Sequence, residues 1–254
     1  MLKKNNKEEN INISEKPTGI SVIIRELKKD KIAMASLSIL GILLMIVFIG
    51  SLLLDKEEVM KISLLDKYAA PGEGFWLGAD TGGRDILGQL IIGARNSIVV
   101  GIAVTILTSL IGIVVGLISG YYGGKIDNII MRLVDFLTIL PRLMLIIVFI
   151  TVVPKYNLVT FIFIMSIFYW TGITRLIRSK VLTESRRDYV HASKTMGTSD
   201  FKILFREVLP NISSIIIVDS TLNVAGNIAI ETGLTFLGFG CLPSIPSVYT
   251  FVGY

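Results

Sequence analysis

The chain has 254 residues, 52% of them hydrophobic, with a net charge of +5 and a mean hydropathy of +0.70, too apolar for an ordinary water-soluble domain. Its single cysteine, Cys241, and single histidine, His191, exclude a disulfide framework and any multi-histidine or cysteine-rich metal site. The basic residues gather in particular loops, which is the topology signal of a membrane protein rather than a nucleic-acid footprint, so no nucleic-acid partner is expected.

Residues 1–31 read as a polar tail with an amphipathic end, Ile20 to Lys31, whose Arg25, Lys28, Lys29 and Lys31 suit anionic headgroups on the cytoplasmic side. A transmembrane domain over 32–254 follows. Its first span, 32–54, is an uncharged apolar run long enough to cross a bilayer. Residues 55–96 are mixed in charge and form the largest external segment. The second span, 97–121, carries Gly112, Gly116 and Gly120 at four-residue spacing, with Thr105 and Ser109 continuing the row. Lipid gives apolar burial no advantage, so such a row serves close helix packing.

The third span is expected over 129–153, kinked at Pro141 because proline removes a ladder hydrogen bond. Near its start Arg132 and Asp135 stand three apart and can pair. Pro154 and Lys155 make an outer turn, and the fourth span runs over 158–177. The loop that follows, 178–211, and its approach hold Arg175, Arg178, Lys180, Arg186, Arg187, Lys194, Lys202 and Arg206. That excess places it and the basic tail on the cytoplasmic side, four spans apart. The fifth span, 212–237, carries Asp219, Asn223, Asn227 and Glu231, each four residues from the last. Four-residue steps drift slowly around a helix, giving one polar strip. It reads either as interhelical hydrogen bonding or as the wall of a solute path, with Glu231 near the outer surface. Two prolines and no spanning run follow Gly240, so five spans are expected.

Within the cytoplasmic loop, Asp188 to Asn211 predicts a docking helix–turn–helix. Helix formers run from Tyr189 to Met196, and Gly197 supplies a C-cap able to take positive φ. Thr198 and Ser199 then cap a second helix, with Asp200 complementing its dipole. That helix has Phe201, Leu204, Phe205, Val208 and Leu209 on one face, Lys202, Arg206 and Glu207 on the other, and a stop at Pro210.

Enzymatic chemistry finds no foothold. Gly124-Lys125 lacks the glycines and the Ser or Thr of a phosphate loop, and there is no Gly-x-Ser-x-Gly, His-Glu-x-x-His or paired-cysteine pattern. No catalytic residue and no metal ligand is expected. If ATP drives the protein, another subunit must bind it.

Three segments together resemble the inner-membrane permease subunits of ABC importers for di- and oligopeptides and, in related branches, nickel. Tyr189 to Gly197 running on to Phe205-Arg206-Glu207-Val208-Leu209-Pro210-Asn211 is similar to that family's cytoplasmic EAA loop. Leu77 to Asp85 with Gly93-Ala94-Arg95-Asn96-Ser97 resembles its external segment before the second helix, and Glu231 to Gly240 its fifth-helix end. Where the loop's name implies Glu-Ala-Ala, the chain has His191-Ala192-Ser193. The family has a sixth helix, and the chain is expected to end before it.

The resemblance implies the all-α type I importer transmembrane fold, in the bacterial cytoplasmic membrane with a cytoplasmic N-terminus. It implies a second and different permease chain, two cytoplasmic ATPase subunits holding ATP and Mg, and an external solute-binding protein; the chain itself would need no cofactor. Docking to the ATPase would fall to Asp188, Tyr189, His191, Ala192, Ser193, Met196, Gly197, Ser199 and Asp200. Asp219, Asn223, Asn227 and Glu231 would line a path. Peptide is the expected solute, nickel or a metal chelate the alternative. Two readings compete with it: an ion-coupled secondary transporter relaying protons through Asp135, Asp219 and Glu231, and a non-transporting scaffold that recruits partners.

Overall fold

A computed structural model describes residues 29–72, 74–153 and 157–240. The tail before residue 29, the predicted turn at Pro154-Lys155 and the segment after Gly240 lie outside the described residues. Among the described residues the chain is helical, with a single isolated bridge between Ala79 and Asp85. Its contacts divide it into two compact units, 1–46 and 47–254, the boundary falling inside the first helix.

That helix, α1 (Lys31–Leu53), starts where the Asp30 carboxylate accepts the backbone N–H groups of Ile32 and Ala33. A short α2 (Lys56–Val59), capped in the same way by Asp55, opens the segment between the first two long helices. Next comes α3 (Ile86–Tyr122), 37 residues long. It begins eleven residues before the predicted span because Asp85 caps it, accepting from Leu87 and Gly88, and because Ile86 to Asn96 keeps helical apolar spacing.

The third predicted span is broken rather than kinked. Helix α4 (Gly124–Ile139) and helix α5 (Arg142–Val152) meet at 83°, with Leu140 and Pro141 both extended. Proline drives the residue before it out of the α region, so the first helix ends there. The expected Arg132–Asp135 pair does not form, since Arg175 takes Asp135 at 2.6 Å. Arg178 grips Asp127 through both carboxylate oxygens, and Ser119 donates to the same group. Asp127 and Asp135 are ~12 Å apart along α4, whereas Arg175 and Arg178 are only ~4.5 Å apart along their helix, so α4 crosses it steeply.

The basic residues after Ile177 stay helical, so α6 (Leu158–Glu184) overruns its predicted end at 177. Three residues separate it from α7 (Asp188–Thr195), and α8 (Asp200–Ile203) follows. A π-helical turn, Leu204–Val208, then feeds α9 (Leu209–Phe236) with no interruption. The expected stop at Pro210 is therefore absent. Proline sits in the first turn of α9, where its missing N–H is tolerated, and the wider turn carries the Leu209 N–H to Leu204 O.

Helices α1, α3 and α6 are long and apolar enough to cross a membrane, and the bent α4–α5 pair makes a fourth if taken as one span. The fifth predicted span falls on α9, 28 residues long, which is not counted among these membrane-length apolar helices. In the second unit α3 packs along both α6 and α9. One apolar cluster joins Val100, Val104, Ile146, Phe161, Met165 and Leu234 toward one end. The other joins Leu117, Ile177, Val181, Val190, Ile203 and Val208, and so ties the helical hairpin to the bundle.

Candidate functional site

The hairpin is built by local rules. Helix α7 ends at Gly197, φ +80°, where Thr198 N–H donates to Ser193 O and Gly197 N–H to Lys194 O, the paired bonds of a Schellman cap. Ser199 takes the extended cap conformation but its side chain makes no cap bond, so the predicted cap is one of backbone shape only. Buried Val190, Ile203, Leu204 and Val208 turn into the bundle. The predicted single apolar face is therefore two. Leu204 and Val208 point inward, while Phe201 and Phe205 stack on each other outside at a centroid distance of 4.5 Å.

Polar bonds hold the hairpin at both ends. Tyr121, at the end of α3, donates its O–H to Asp200 Oδ1 at 2.7 Å, and Lys194 lies 3.8 Å from the same oxygen. Tyr189 donates to Glu184 Oε1 at 2.7 Å and accepts from Asn211 Nδ2 at 2.9 Å, joining the end of α6 to the start of α9. Burial pushes the Tyr189 phenol up, and the Glu184 carboxylate beside it adds to the shift. Of the residues expected to dock a partner, Tyr189 and Asp200 thus serve inside the chain as positioning residues. Asp188, His191, Ala192, Met196, Gly197 and Ser199 are exposed and Ser193 is half-buried.

Sequence reasoning named Met196, 77% exposed, for docking but not Phe201, which is 71% exposed. Phe201 was placed on the same face as Leu204 and Val208, and Ile203, fully buried, was left off that face. Both errors follow from reading an unbroken 3.6-residue period through a segment that widens into a π turn.

The glycine row lies where α3 meets α6. A Cβ on Gly112 would collide with Ile173 and come within 3.3 Å of Trp170 O. One on Gly116 would sit 2.9 Å from Ile177 Cβ and Thr174 O, and one on Gly120 would sit 2.8 Å from Arg178 O. Thr105 and Ser109 leave that row and face α9, where Ser109 pairs with Ser220 at 3.0 Å and Thr105 accepts from Asn227 Nδ2 at 2.9 Å.

The polar strip of α9 divides in two. Glu231, 1% exposed, accepts from Ser97 Oγ at 2.8 Å and from Thr235 Oγ1 at 2.9 Å, and Asn227 is buried against α3. Asp219 and Asn223 bond only to each other, Asn223 Nδ2 donating to Asp219 Oδ2 at 2.7 Å, on an open face. Asp135, Asp219 and Glu231 thus each have separate partners, on Arg175, Asn223 and Ser97 respectively.

On the segment between α1 and α3 Asp80 is a hub. Its carboxylate accepts from the backbone N–H groups of Gly82 and Arg84, from Arg84 Nε at 3.0 Å and from Gln89 Nε2 at 3.1 Å. Partial burial pushes its pKa up, but these donors and the Arg84 charge together hold it below the usual carboxylate value. Gly83, at φ +72°, lies against Ser63 O, where no side chain fits. Among the described residues no group of acidic, histidine or cysteine side chains is placed to hold a metal ion.

The exposed apolar turn, the tight glycine seam and the buried polar contacts describe a helix bundle with a rigidly mounted hairpin. A family model described as binding-protein-dependent transport system inner membrane component matches residues 112–252. The oligopeptide transport system permease protein OppC of Lactococcus lactis subsp. lactis (strain IL1403) is 51% identical over 231 residues, covering 91% of this chain and 79% of that protein. The dipeptide transport system permease protein DppC of Bacillus subtilis (strain 168) is 39% identical over 216 residues, covering 85% of this chain and 67% of that protein. OppC of the same Bacillus strain is 36% identical over 213 residues, covering 84% and 69%. The chain belongs to the family of binding-protein-dependent transport system inner membrane components, the membrane-spanning permeases of ABC importers.

Proposed function

We propose that this chain is one of two permease subunits of an ATP-driven importer of peptides. The observation that carries the reading is the hairpin 188–208. A solvent-facing turn bearing Met196 and Phe201 is fixed to α3, α6 and α9 by Tyr121–Asp200, Tyr189–Glu184 and Asn211–Tyr189, an arrangement suited to receiving force from a separate protein. The named functions of the similar permeases, oligopeptide and dipeptide transport, supply the solute class.

On this reading the hairpin and the N-terminal tail are cytoplasmic, and the turn sits in a groove of an ATPase subunit that holds ATP and Mg. Asp188, His191, Ala192, Ser193, Met196, Gly197, Ser199 and Phe201 form the contact. Closure of two ATPases moves the hairpin and switches the bundle between inward- and outward-facing packings. The external segment receives a loaded solute-binding protein. A second permease chain completes the path, with Asp219 and Asn223 on its wall. This chain performs no bond chemistry of its own.

Co-expression with neighbouring transporter genes and affinity capture through this chain tests the reading. Two ATPase subunits and a second permease are expected to co-purify. Vesicles containing the complex are expected to take up peptide only with ATP and binding protein present. Capture of no ATPase, or uptake driven by an ion gradient without one, overturns it.

A further inference from the structure

Arginine 142 begins α5 just past the 83° break, half-buried, and its side chain reaches α6. There Arg142 Nη2 donates to Thr171 Oγ1 at 3.1 Å, and the guanidinium lies 5.5 Å from the centre of the Tyr169 ring. Neither neighbour is an anion, and no carboxylate among the described residues pairs with it. The arginines that α6 presents to α4, Arg175 and Arg178, differ in this respect. Arg175 is matched by Asp135 and Arg178 by Asp127.

Depth makes the difference matter. Tyr169 and Thr171 lie ~18–21 Å along α6 from its Asn157 cap and ~10–13 Å short of Arg178, which places this guanidinium within the apolar thickness of a bilayer. A cation there is costly and persists where it meets a counter-charge or a watery path. Thr171 and Tyr169 fix the guanidinium plane while using one of its donors and one of its faces, leaving other donors free to grip a carboxylate.

We infer that Arg142 is a carboxylate-binding residue on the solute path, and that it engages the C-terminal carboxylate of a peptide as the peptide crosses. The inference rests on the importer reading above. A free peptide always carries this group, ionised at neutral pH, whatever its side chains. Thr171 and Tyr169 act as positioning residues for the guanidinium.

The test uses the assembled importer in proteoliposomes, with its binding protein preloaded with either a free-acid peptide or the same peptide as its C-terminal amide, loading measured separately. Wild type is expected to import the free acid about tenfold faster than the amide, the size of one charge-assisted hydrogen bond. Arg142→Gln is expected to bring the free acid down to the amide rate and leave the amide rate and subunit composition unchanged, with Arg142→Lys restoring part of the preference. Equal loss for both peptides, or equal rates in wild type, overturns the inference. So does a complex that loses its second permease on Arg142→Gln, for the arginine would then be meeting an acid of that subunit. If wild type imports neither peptide, the importer reading fails and this inference with it. If it imports both without preference, the inference alone fails.

Discussion

Tyr121 donates its phenol hydrogen to Asp200 at 2.7 Å, and this one bond joins the end of α3 to the second helix of the hairpin. Tyr121→Phe keeps the ring and removes the bond. The expected loss is roughly 1 kcal/mol, because Asp200 is half-exposed and water screens the contact. Assembly with the ATPases is expected to survive, while stimulation of ATP hydrolysis by loaded binding protein falls severalfold. Unchanged stimulation would show that the bond carries no force.

Gly116 tests the seam between α3 and α6. A valine there would place branched carbons against Ile177 and Thr174 O at a site with no slack. Overpacking of this kind costs about 1–3 kcal/mol. Gly116→Val is expected to lower the unfolding midpoint in detergent. Gly172→Ala, whose added carbon meets nothing within 4 Å, is expected to leave it unchanged.

Gly197 tests the hairpin turn by a different mechanism. Nothing lies within 4 Å of a Cβ at this position, so a substitution is penalised only for its left-handed backbone, φ +80°. That penalty is about 1–2 kcal/mol for an ordinary residue and smaller for asparagine. Gly197→Val is expected to weaken co-purification of the ATPase, and Gly197→Asn to retain most of it. Equal behaviour of the two variants would assign the effect to side-chain bulk against the partner instead.

Asp80 predicts a pH dependence. Its carboxyl is held below the usual value, so it stabilises the segment between α1 and α3 above the ordinary aspartate pKa, and that contribution is lost as pH falls through the lowered one. Limited proteolysis of the segment is expected to accelerate only at acidic pH in wild type. In Asp80→Ala, where the donors of Gly82, Arg84 and Gln89 lose their acceptor, it is expected to be fast at neutral pH too. A wild-type profile flat into strong acid argues against the hub.

The features legible in the sequence were those governed by neighbours along the chain. The Gly197 cap, the glycine spacing of α3 and the apolar runs needed no knowledge of distant contacts. Pro141 was foreseen as the site of a kink, but not the 83° break found there, nor that α4 is held to α6 by Arg175 and Arg178 through pairs 40 and 51 residues apart. The polar strip of α9 was visible as a four-residue period. Which half is buried depends on Ser97 and Thr105, 134 and 122 residues away. Pro210 misled because proline marks either the end of a helix or its first turn, and only the preceding π turn distinguishes the two.

The turn Leu204–Val208 holds one residue more per bonded loop than its surroundings. Drawing it back to regular pitch would slide the rest of α9 by about 1.5 Å and spin it by about 100°. The open Asp219–Asn223 face and the closed Asn227–Glu231 face share that shaft. A tug at Phe201 that tightened this coil would work like a screw thread, exchanging which polar groups are covered without unwinding a single loop.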